Sequence, residues 1–228
     1  MISVVTPTYN EAGSLPTLAQ RLALALAGRE YELVVVDDGS PDGTADVADA
    51  LAARLPVRLV RRAGKAGLAS AVLAGFAAAR GDVLVVMDAD LSHPPETVAA
   101  LVAALDAGAD LAVASRYVRG GGMEDWPLRR RIVSRAACLL GSLLVPVRDA
   151  TSGFFAVRRA AIEGVRLNGI GFKIGFEVIA RARARRIVEV PYTFRDRELG
   201  ASKFGRREVA QYLVQLAQVA RDKALRRI

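Results

Sequence analysis

One cysteine, one histidine and one tryptophan are the whole complement of those residues in 228. Cys138 alone cannot close an intramolecular disulfide, which excludes a disulfide-stapled scaffold and fits a reducing compartment. No run approaches the roughly 20 consecutive apolar residues that span a bilayer. Met1-Ile2-Ser3 offers no basic segment and leads straight into a strand pattern, unlike a signal peptide. Aromatic residues make up only 6%, and the RNA-recognition, zinc-finger and helix-turn-helix patterns are missing, so a nucleic-acid module is not expected. A Gly-x-Gly-x-x-Gly opening to the first helix is also missing, which argues against a dinucleotide-binding Rossmann unit. No internal repeat or linker divides the chain.

What is present is 52% hydrophobic residues, enough for one ample domain. The net charge of +8 is unevenly distributed. Residues 1–115 hold 8 Lys/Arg and 14 Asp/Glu, a balance of −6, whereas residues 116–228 hold 24 and 10, a balance of +14. An acidic first half joined to a basic second half needs a cause beyond general basicity.

The first half alternates strand and helix signals. Strands are expected at Ile2–Thr6 (ended by Pro7), Tyr31–Val36, Val57–Val60, Val83–Met87 and Leu111–Ser115. Helical periods cover Leu15–Leu26, Thr44–Leu55 with Thr44 as N-cap, Leu68–Ala79 and Pro95–Leu105. Solid Val/Leu/Ile strands separated by helices predict an α/β fold with a mostly parallel sheet buried on both faces. Ligands of such sheets sit beyond the carboxyl ends of the strands. Pro7–Glu11, Asp37-Asp38 and Asp88-Ala89-Asp90 fall there. In the second half, 116–135 reads as loops and a helix start, and 136–147 is an apolar stretch of twelve. A helix is predicted at 208–225, with Val209, Tyr212, Leu213, Leu216, Val219 and Ala220 on its apolar face and Gln211, Gln215, Gln218 and Asp222 on its polar one.

Asp88 and Asp90 are the sharpest chemical feature. Carboxylates on alternate residues at a strand end can address one hard cation, as Mg²⁺ and Mn²⁺ prefer, or one can bind metal while the other holds a sugar hydroxyl. The plainer alternative is that Asp90 caps a turn. The pair at Asp37-Asp38 can accept from nucleobase N–H groups or ribose hydroxyls, while Ser40 and Asp42-Gly43 form a turn in either case.

Pro7-Thr8-Tyr9-Asn10-Glu11, Asp37-Asp38-Gly39-Ser40-Pro41-Asp42-Gly43-Thr44 and Asp88-Ala89-Asp90-Leu91-Ser92-His93-Pro94-Pro95 resemble the family 2 glycosyltransferases of GT-A fold. Later segments resemble the dolichyl- or polyprenyl-phosphate mannose synthase branch: Ser115-Arg116-Tyr117, Asp149-Ala150-Thr151-Ser152-Gly153-Phe154, Gly171-Phe172-Lys173-Ile174, Asp196-Arg197 and Gly200-Ala201-Ser202-Lys203. The resemblance runs in order over about residues 2–205. It implies a Rossmann-like GT-A catalytic domain at 1–205, followed at 206–228 by an amphipathic helix packed on the domain or lying at the membrane surface.

The resemblance further implies metal-dependent transfer of mannose from GDP-mannose to a dolichyl or polyprenyl phosphate, with inversion. Pro7, Tyr9, Glu11, Val36 and Asp38 would hold the nucleoside. Asp88 and Asp90 would handle Mg²⁺ or Mn²⁺, with Ala89 close to the donor. Ser92 stands where some members place a Gln ligand and is a poorer third one. Arg116, Arg197 and Lys203 match basic residues that face phosphate groups, and Arg130 and Ser134 are candidates for the acceptor phosphate. A phosphate acceptor is already anionic, so no general base is expected; cationic positioning is needed instead. His93 is either a contact to the leaving phosphate or a structural loop residue. Cys138 reads as a small buried hydrophobe, and Trp126 as an interface or packing residue. Other readings are a UDP-glucose-using polyprenyl-phosphate or polysaccharide transferase, or a non-enzymatic basic module binding membrane or nucleic acid. The favoured reading has no nucleic-acid partner. It expects a peripheral protein on the cytoplasmic face of an anionic membrane, with an anchoring subunit as a further partner because many relatives carry C-terminal spanning helices.

Overall fold

In the computed structural model, residues 1–168, 173–195 and 206–225 are described, the last segment from Val209 onward for its side chains. Arg197 and Lys203 lie outside the described residues. The strands are β1 (Ile2–Thr8), β2 (Tyr31–Asp37), β3 (Val57–Arg61), β4 (Val83–Val86), β5 (Leu111–Ser115), β6 (Gly122–Met123), β7 (Phe155–Arg158), β8 (Ile187–Pro191) and β9 (Thr193–Phe194). Between them come helices α1 (Leu15–Ala25), α2 (Thr44–Ala52), α3 (Leu68–Ala78), α4 (Thr97–Asp106), α5 (Leu128–Ser142), α6 (Arg159–Ile162), α7 (Ile174–Arg181) and α8 (Arg206–Ala224).

Seven strands form one sheet in the order β3-β2-β1-β4-β7-β5-β8, with β6 and β9 as a separate pair. Neighbouring strands run parallel except β7, which is antiparallel to both β4 and β5. The mostly parallel sheet expected from the Val-rich runs is therefore present. Strands β6, β7, β8 and β9 go beyond those expected, and of these β7 bears most on the site. It enters the sheet centre from the edge where the parallel strands end, so the loop before it, 149–154, joins the polar clusters there.

Helices cover both faces, as burial of the strands requires. One face packs Leu15, Leu18 and Leu22 of α1 and Val98, Leu101 and Leu105 of α4 against Val4, Leu33 and Val85. The other packs Val72 and Phe76 of α3, Ile174 and Phe176 of α7, and Tyr212 and Val219 of α8 against Val5, Val34 and Phe155.

Two local expectations are corrected. Gly43, at φ 85°, is the N-cap of α2, and Thr44 is its first helical residue; the Thr44 hydroxyl instead donates to Asp42 Oδ1 at 2.5 Å. Helix α8 sits rotated from its predicted facing. Tyr212 and Val219 are buried as expected, but so are Gln215 and Asp222, while Val209 and Leu213 are exposed. Polar partners cause this: Gln215 Nε2 donates to the Lys173 carbonyl at 3.2 Å, and Arg181 Nη2 donates to Asp222 Oδ2 at 2.6 Å.

Candidate active site

Six segments meet beyond the carboxyl edge of the sheet: those following β1, β2, β4, β5 and β8, and the one preceding β7. The first two are tied to each other by side chains. Asp37, at the end of β2, accepts from the Thr8 hydroxyl at 3.1 Å and from the Ser40 amide at 2.9 Å. Asn10 takes φ 64° and its amide donates to Ser40 Oγ at 3.0 Å; the Glu11 amide donates to Thr44 Oγ1 at 2.9 Å. A left-handed Asn is among the few non-glycine residues that adopt this bend at low cost. The bend sets Tyr9 and Glu11 at the edge, with Lys65 Nζ 4.0 Å above the Tyr9 ring.

Asp38 is buried and ion-paired with Arg62 Nη1 at 2.9 Å, and its Oδ2 accepts from the Ala66 amide at 3.3 Å. Arg62 has no counterpart in the sequence reading, because nothing in the spacing marks it as a partner 24 positions on. Val36 is wholly buried in the core, so its side chain is unavailable for the expected contact with a nucleoside; its carbonyl accepts from Thr8 Oγ1 at 3.3 Å. Pro7 pairs with Val36 across β1 and β2 and is half-buried.

After β4 the chain turns through Asp88-Ala89-Asp90-Leu91, with Leu91 at φ 63°. Positive φ at a bulky residue is strained, and such outliers gather at functional turns. Asp90 is buried, and its Oδ1 accepts from the Ser92 amide at 3.0 Å and the Ser92 hydroxyl at 2.6 Å. Ser92 thus aims Asp90. Asp88 is more open, its side chain 35% exposed. The buried Ala89 between them gives the two carboxylates their spacing.

His93 holds this turn from below. Its Nδ1 accepts the Asp88 backbone N–H at 3.0 Å, so the ring proton of the neutral form sits on Nε2, 3.8 Å from Asp88 Oδ2. The ring stacks on Phe154 at 4.8 Å and meets Tyr192 and Phe194 edge-on. Burial lowers its pKa against the opposing pull of Asp88 and Asp90, so the ring is neutral near pH 7. Of the two readings of His93, this geometry carries the structural one.

The cationic side comes from the second half of the chain. Arg116, just after β5, donates from Nε to Asp149 Oδ2 and from Nη2 to Asp149 Oδ1, both at 2.7 Å, and from Nη2 to Thr151 Oγ1 at 2.9 Å. The Arg116 amide also donates to Asp149 Oδ2 at 3.0 Å. Burial alone would push the Asp149 carboxyl up; Arg116 outweighs it, and the net direction is down. Lys173, at the start of α7, donates from Nζ to the Thr151 carbonyl at 2.8 Å. Burial and then the nearby Arg116 push its ammonium down to about 8. Lys173 was quoted only within a motif, and its place beside Arg116 follows from β7, which brings the 149–154 loop between them.

Arg130, Ser134 and Cys138 follow one another at i, i+4 and i+8 on the inward stripe of α5. The Tyr117 hydroxyl donates to Ser134 Oγ at 2.9 Å. The Arg130 guanidinium lies 3.8 Å over the Trp126 ring, and Trp126 meets Phe194 edge-on at 5.2 Å. Cys138 Sγ lies 3.1 Å from Thr151 Oγ1, and burial raises its thiol to about 11, which keeps it an unreactive packing residue. Carboxylates from β1, β2 and β4 therefore face cations from β5, α5 and α7 across one edge.

A divalent cation fits this donor set. Asp88 and Asp90 offer only hard oxygen, and among the described residues no group of three or more His, Cys, Asp or Glu forms a fuller cage. Two carboxylates with positions left for substrate phosphate oxygens are the arrangement Mg²⁺ and Mn²⁺ favour.

An open α/β sheet with a paired-carboxylate turn opposite a cationic wall places this chain among the α/β proteins that take ligands beyond the carboxyl ends of their strands. More narrowly, residues 3–166 match the family model described as Glycosyl transferase family 2, and the chain belongs to that family. It is 47% identical over 216 residues to a dolichol-phosphate mannosyltransferase of Pyrococcus furiosus, covering 93% of this chain and 61% of that relative. It is 42% identical over 227 residues to a polyprenol monophosphomannose synthase of Mycolicibacterium smegmatis, covering 94% and 85%. The chain thus spans less than two thirds of the archaeal relative and most of the bacterial one. Among solved structures, a Pyrobaculum calidifontis mannosyltransferase in complex with GDP-Man and Mn²⁺ superposes with TM-score 0.67 at 24% identity, covering 97% of this chain and 64% of that one. A Mycobacterium tuberculosis glucosyl-3-phosphoglycerate synthase gives TM-score 0.70 at 25% identity, covering 95% and 80%. The fold is that of GT-A-like glycosyltransferases, as expected.

Proposed function

We propose that this glycosyltransferase moves mannose from GDP-mannose to a dolichyl or polyprenyl phosphate. The observation that carries the reading is the pairing, at one sheet edge, of the Asp88/Asp90 turn with a cationic wall of Arg116, Lys173 and Arg130. Carboxylates suit a metal-bound diphosphate donor, and guanidinium forks suit a phosphate acceptor. The names of the Pyrococcus and Mycolicibacterium relatives support mannose and a polyprenyl phosphate.

In this reading Pro7, Tyr9, Glu11 and Asp38 hold the nucleoside, with Val36 contributing backbone only, and Ala89 lies close to the donor. Asp88 and Asp90 hold Mg²⁺ or Mn²⁺, which when bound would neutralise charge on the departing diphosphate. Ser92 keeps Asp90 aimed. Arg130 and Ser134 receive the acceptor phosphate, with Arg116, Arg197 and Lys203 as further phosphate contacts. An acceptor phosphate oxygen attacks the anomeric carbon from the face opposite the nucleotide. One carbon–oxygen bond forms, the bond to GDP breaks and takes its electron pair with it, and configuration inverts. The attacking oxygen is already anionic, so the buried neutral His93 has no proton to remove. Positioning and electrostatics supply the catalysis.

The same reading places the protein peripherally on the cytoplasmic face of an anionic membrane, with an anchoring subunit as a possible companion and no nucleic acid. Among the described residues no helix is long and apolar enough to cross a membrane. Helix α5 exposes Leu128, Ile132, Leu139, Leu140 and Leu143, and α8 exposes Val209, Leu213 and Val214. Arg129, Arg131 and Arg135 lie among the exposed positions of α5, a composition suited to an anionic interface. Arg129, Arg130 and Arg131 in the first turn of α5 oppose its dipole, so they are not there to stabilise it.

The test is transfer to a short polyprenyl phosphate from a panel of GDP- and UDP-sugars with Mg²⁺ or Mn²⁺. GDP-mannose is expected to be the preferred donor, and Asp90→Asn, Arg197→Ala and Lys203→Ala to lose most activity. Preference for UDP-glucose would overturn the donor assignment, and Arg197→Ala and Lys203→Ala variants within a few-fold of wild type would overturn the phosphate contacts. Flotation with anionic vesicles at low salt tests docking, which absence of binding would exclude.

A further inference from the structure

At the sheet edge opposite the active site, the end of α6, the C-terminus of α7 and the last turns of α8 enclose a cavity of about 730 Å³. Its charged lining is Arg166, Arg181, Arg183, Arg221 and Asp222, beside Gln218: four guanidinium groups against one carboxylate. That carboxylate is already engaged, by Arg181 at 2.6 Å and Arg221 at 3.5 Å. Arg181 is further paired with Glu177 at 3.2 Å. The side chains of Arg166 and Arg183 have no hydrogen-bond or ion-pair partner among the described residues. Cations gathered round one hollow repel each other unless an anion enters, and Arg forks match phosphate oxygens in geometry as well as charge.

A second cleft of about 320 Å³ shares the lining residue Val165 with the first; Leu73, Phe76, Ile162 and Leu167 give it an apolar wall, with Arg159 and Glu163 at its side. A cationic hollow beside an apolar groove suits an amphiphile better than a free ion. The cavity also flanks the exposed apolar face of α8: Gln218 and Arg221 lie on the side of the helix next to Leu213 and Val214. A bilayer against that face would bring lipid headgroups to the cavity rim, an argument that rests on the docking reading above.

We propose that this cavity is a second, non-catalytic phosphate site that takes the headgroup of an anionic phospholipid, with the start of an acyl chain in the adjoining cleft. Arg166 and Arg183 grip the phosphate, Arg221 closes the rim, and Arg181 fixes the wall through Glu177 and Asp222.

The experiment measures thermal stabilisation of the full chain by dihexanoyl phosphatidylglycerol below its micelle concentration. Inorganic phosphate and dihexanoyl phosphatidylcholine run in parallel. The glycerol lipid is expected to raise the melting temperature more than inorganic phosphate, and the choline lipid least. The Arg166→Gln/Arg183→Gln variant is expected to bind the anionic lipid roughly tenfold more weakly. Both arginines are exposed and their side chains have no partner among the described residues, so the unliganded variant should melt with wild type, and donor-sugar affinity should stay unchanged. An unchanged lipid response in the variant would overturn the site. Equal stabilisation by inorganic phosphate would overturn the lipid assignment in favour of a free phosphate. Because the probe is monomeric and nothing is transferred, failure of the docking or transferase readings would leave this result untouched.

Discussion

Removing the carboxylate of Asp149 would show how far the cationic wall depends on one buried pair. Asp149 is fully buried, with the Arg116 side chain 7% exposed beside it. Both guanidinium contacts are 2.7 Å, and the Arg116 amide adds a third bond to the same carboxylate. Arg116 cannot shed its proton, since Asp149 holds its pKa still higher despite burial. Asp149→Ala therefore leaves a charge stranded in the interior, at a cost of about 3–5 kcal/mol. For a chain of this length that lowers the melting temperature by roughly 10 °C. Replacing both partners, as Arg116→Met/Asp149→Leu, should cost less than either single change, because the desolvation of both charges is then avoided. Calorimetry of the wild type, the singles and the double variant gives the coupling energy. The pH dependence has a fixed sign. The folded Asp149 titrates below its unfolded value, so its stabilisation is present above about pH 4 and is lost as pH falls through the lower, folded value. The gap between wild type and Asp149→Asn should close in acid. A single-variant cost below about 1 kcal/mol, or a coupling near zero, would refute the pair as the brace of this wall.

Ser92→Ala removes the hydroxyl that aims Asp90; loss of such an outer partner is expected to weaken apparent Mn²⁺ affinity about tenfold in the transfer assay, with the melting temperature little changed. Lys173 binds its proton less tightly when folded, so between about pH 8 and 10.5 the unfolded chain holds more protons there. Wild type should accordingly gain stability relative to Lys173→Met as pH rises through that window, by no more than about 1.4 kcal/mol per unit, the ceiling for one proton, in urea melts at stepped pH. Gly175→Ala places a Cβ 2.3 Å from the Ser152 carbonyl oxygen, which is backbone and cannot swing aside; a loss of about 1–3 kcal/mol is expected, with activity falling because the 149–154 loop must move.

Much of the carboxylate side was legible in the sequence because strands and site share a local grammar. A Val-rich run followed directly by acidic residues places those residues at a strand end, and for β2 and β4 the structure does so within a residue or two. Pro7 proved to lie inside β1, beyond the point where the ladder to β4 ends at Val5, so one side of the strand is already unpaired there. The cationic side was legible only through resemblance. Its partners are remote: Arg116 and Asp149 are separated by 33 positions, and Lys173 meets Thr151 across 22. Only the antiparallel entry of β7 brings them together, and a four-residue strand between loops has no periodicity long enough to announce itself. Ion pairs such as Arg62 with Asp38 are likewise invisible, since charge patterning reports neighbours on one element rather than across two.

The rotated facing of α8 shows why periodicity can mislead even on a long helix. Nineteen residues carry apolar side chains on more than one face, so a moment alone does not choose which face is inward. The choice falls to specific polar partners. Asp222 turns in because Arg181, already beside Glu177, is a buried cation with a position for a second carboxylate. Gln215 turns in because its amide reaches the Lys173 carbonyl at the start of α7, which the Glu177 amide approaches only at 3.4 Å. Those two contacts leave Leu213 52% and Val214 53% exposed, alongside Leu139 at 67% and Leu143 at 77% on α5. Leaving such side chains half or more in water forfeits a corresponding share of the about 1.5–3 kcal/mol that full burial would give each. The polar contacts that orient α8 thereby create the apolar surface assigned above to the membrane. On the docking proposal, two demands meet in one helix: tying the start of α7, where Lys173 sits, to the body of the fold, and offering a face to the lipid. The basic balance of residues 116–228 follows from the same division of labour. On the proposed function, its cations serve an interior wall at the active site and an exterior surface, while the carboxylates of the first half serve the nucleotide and metal.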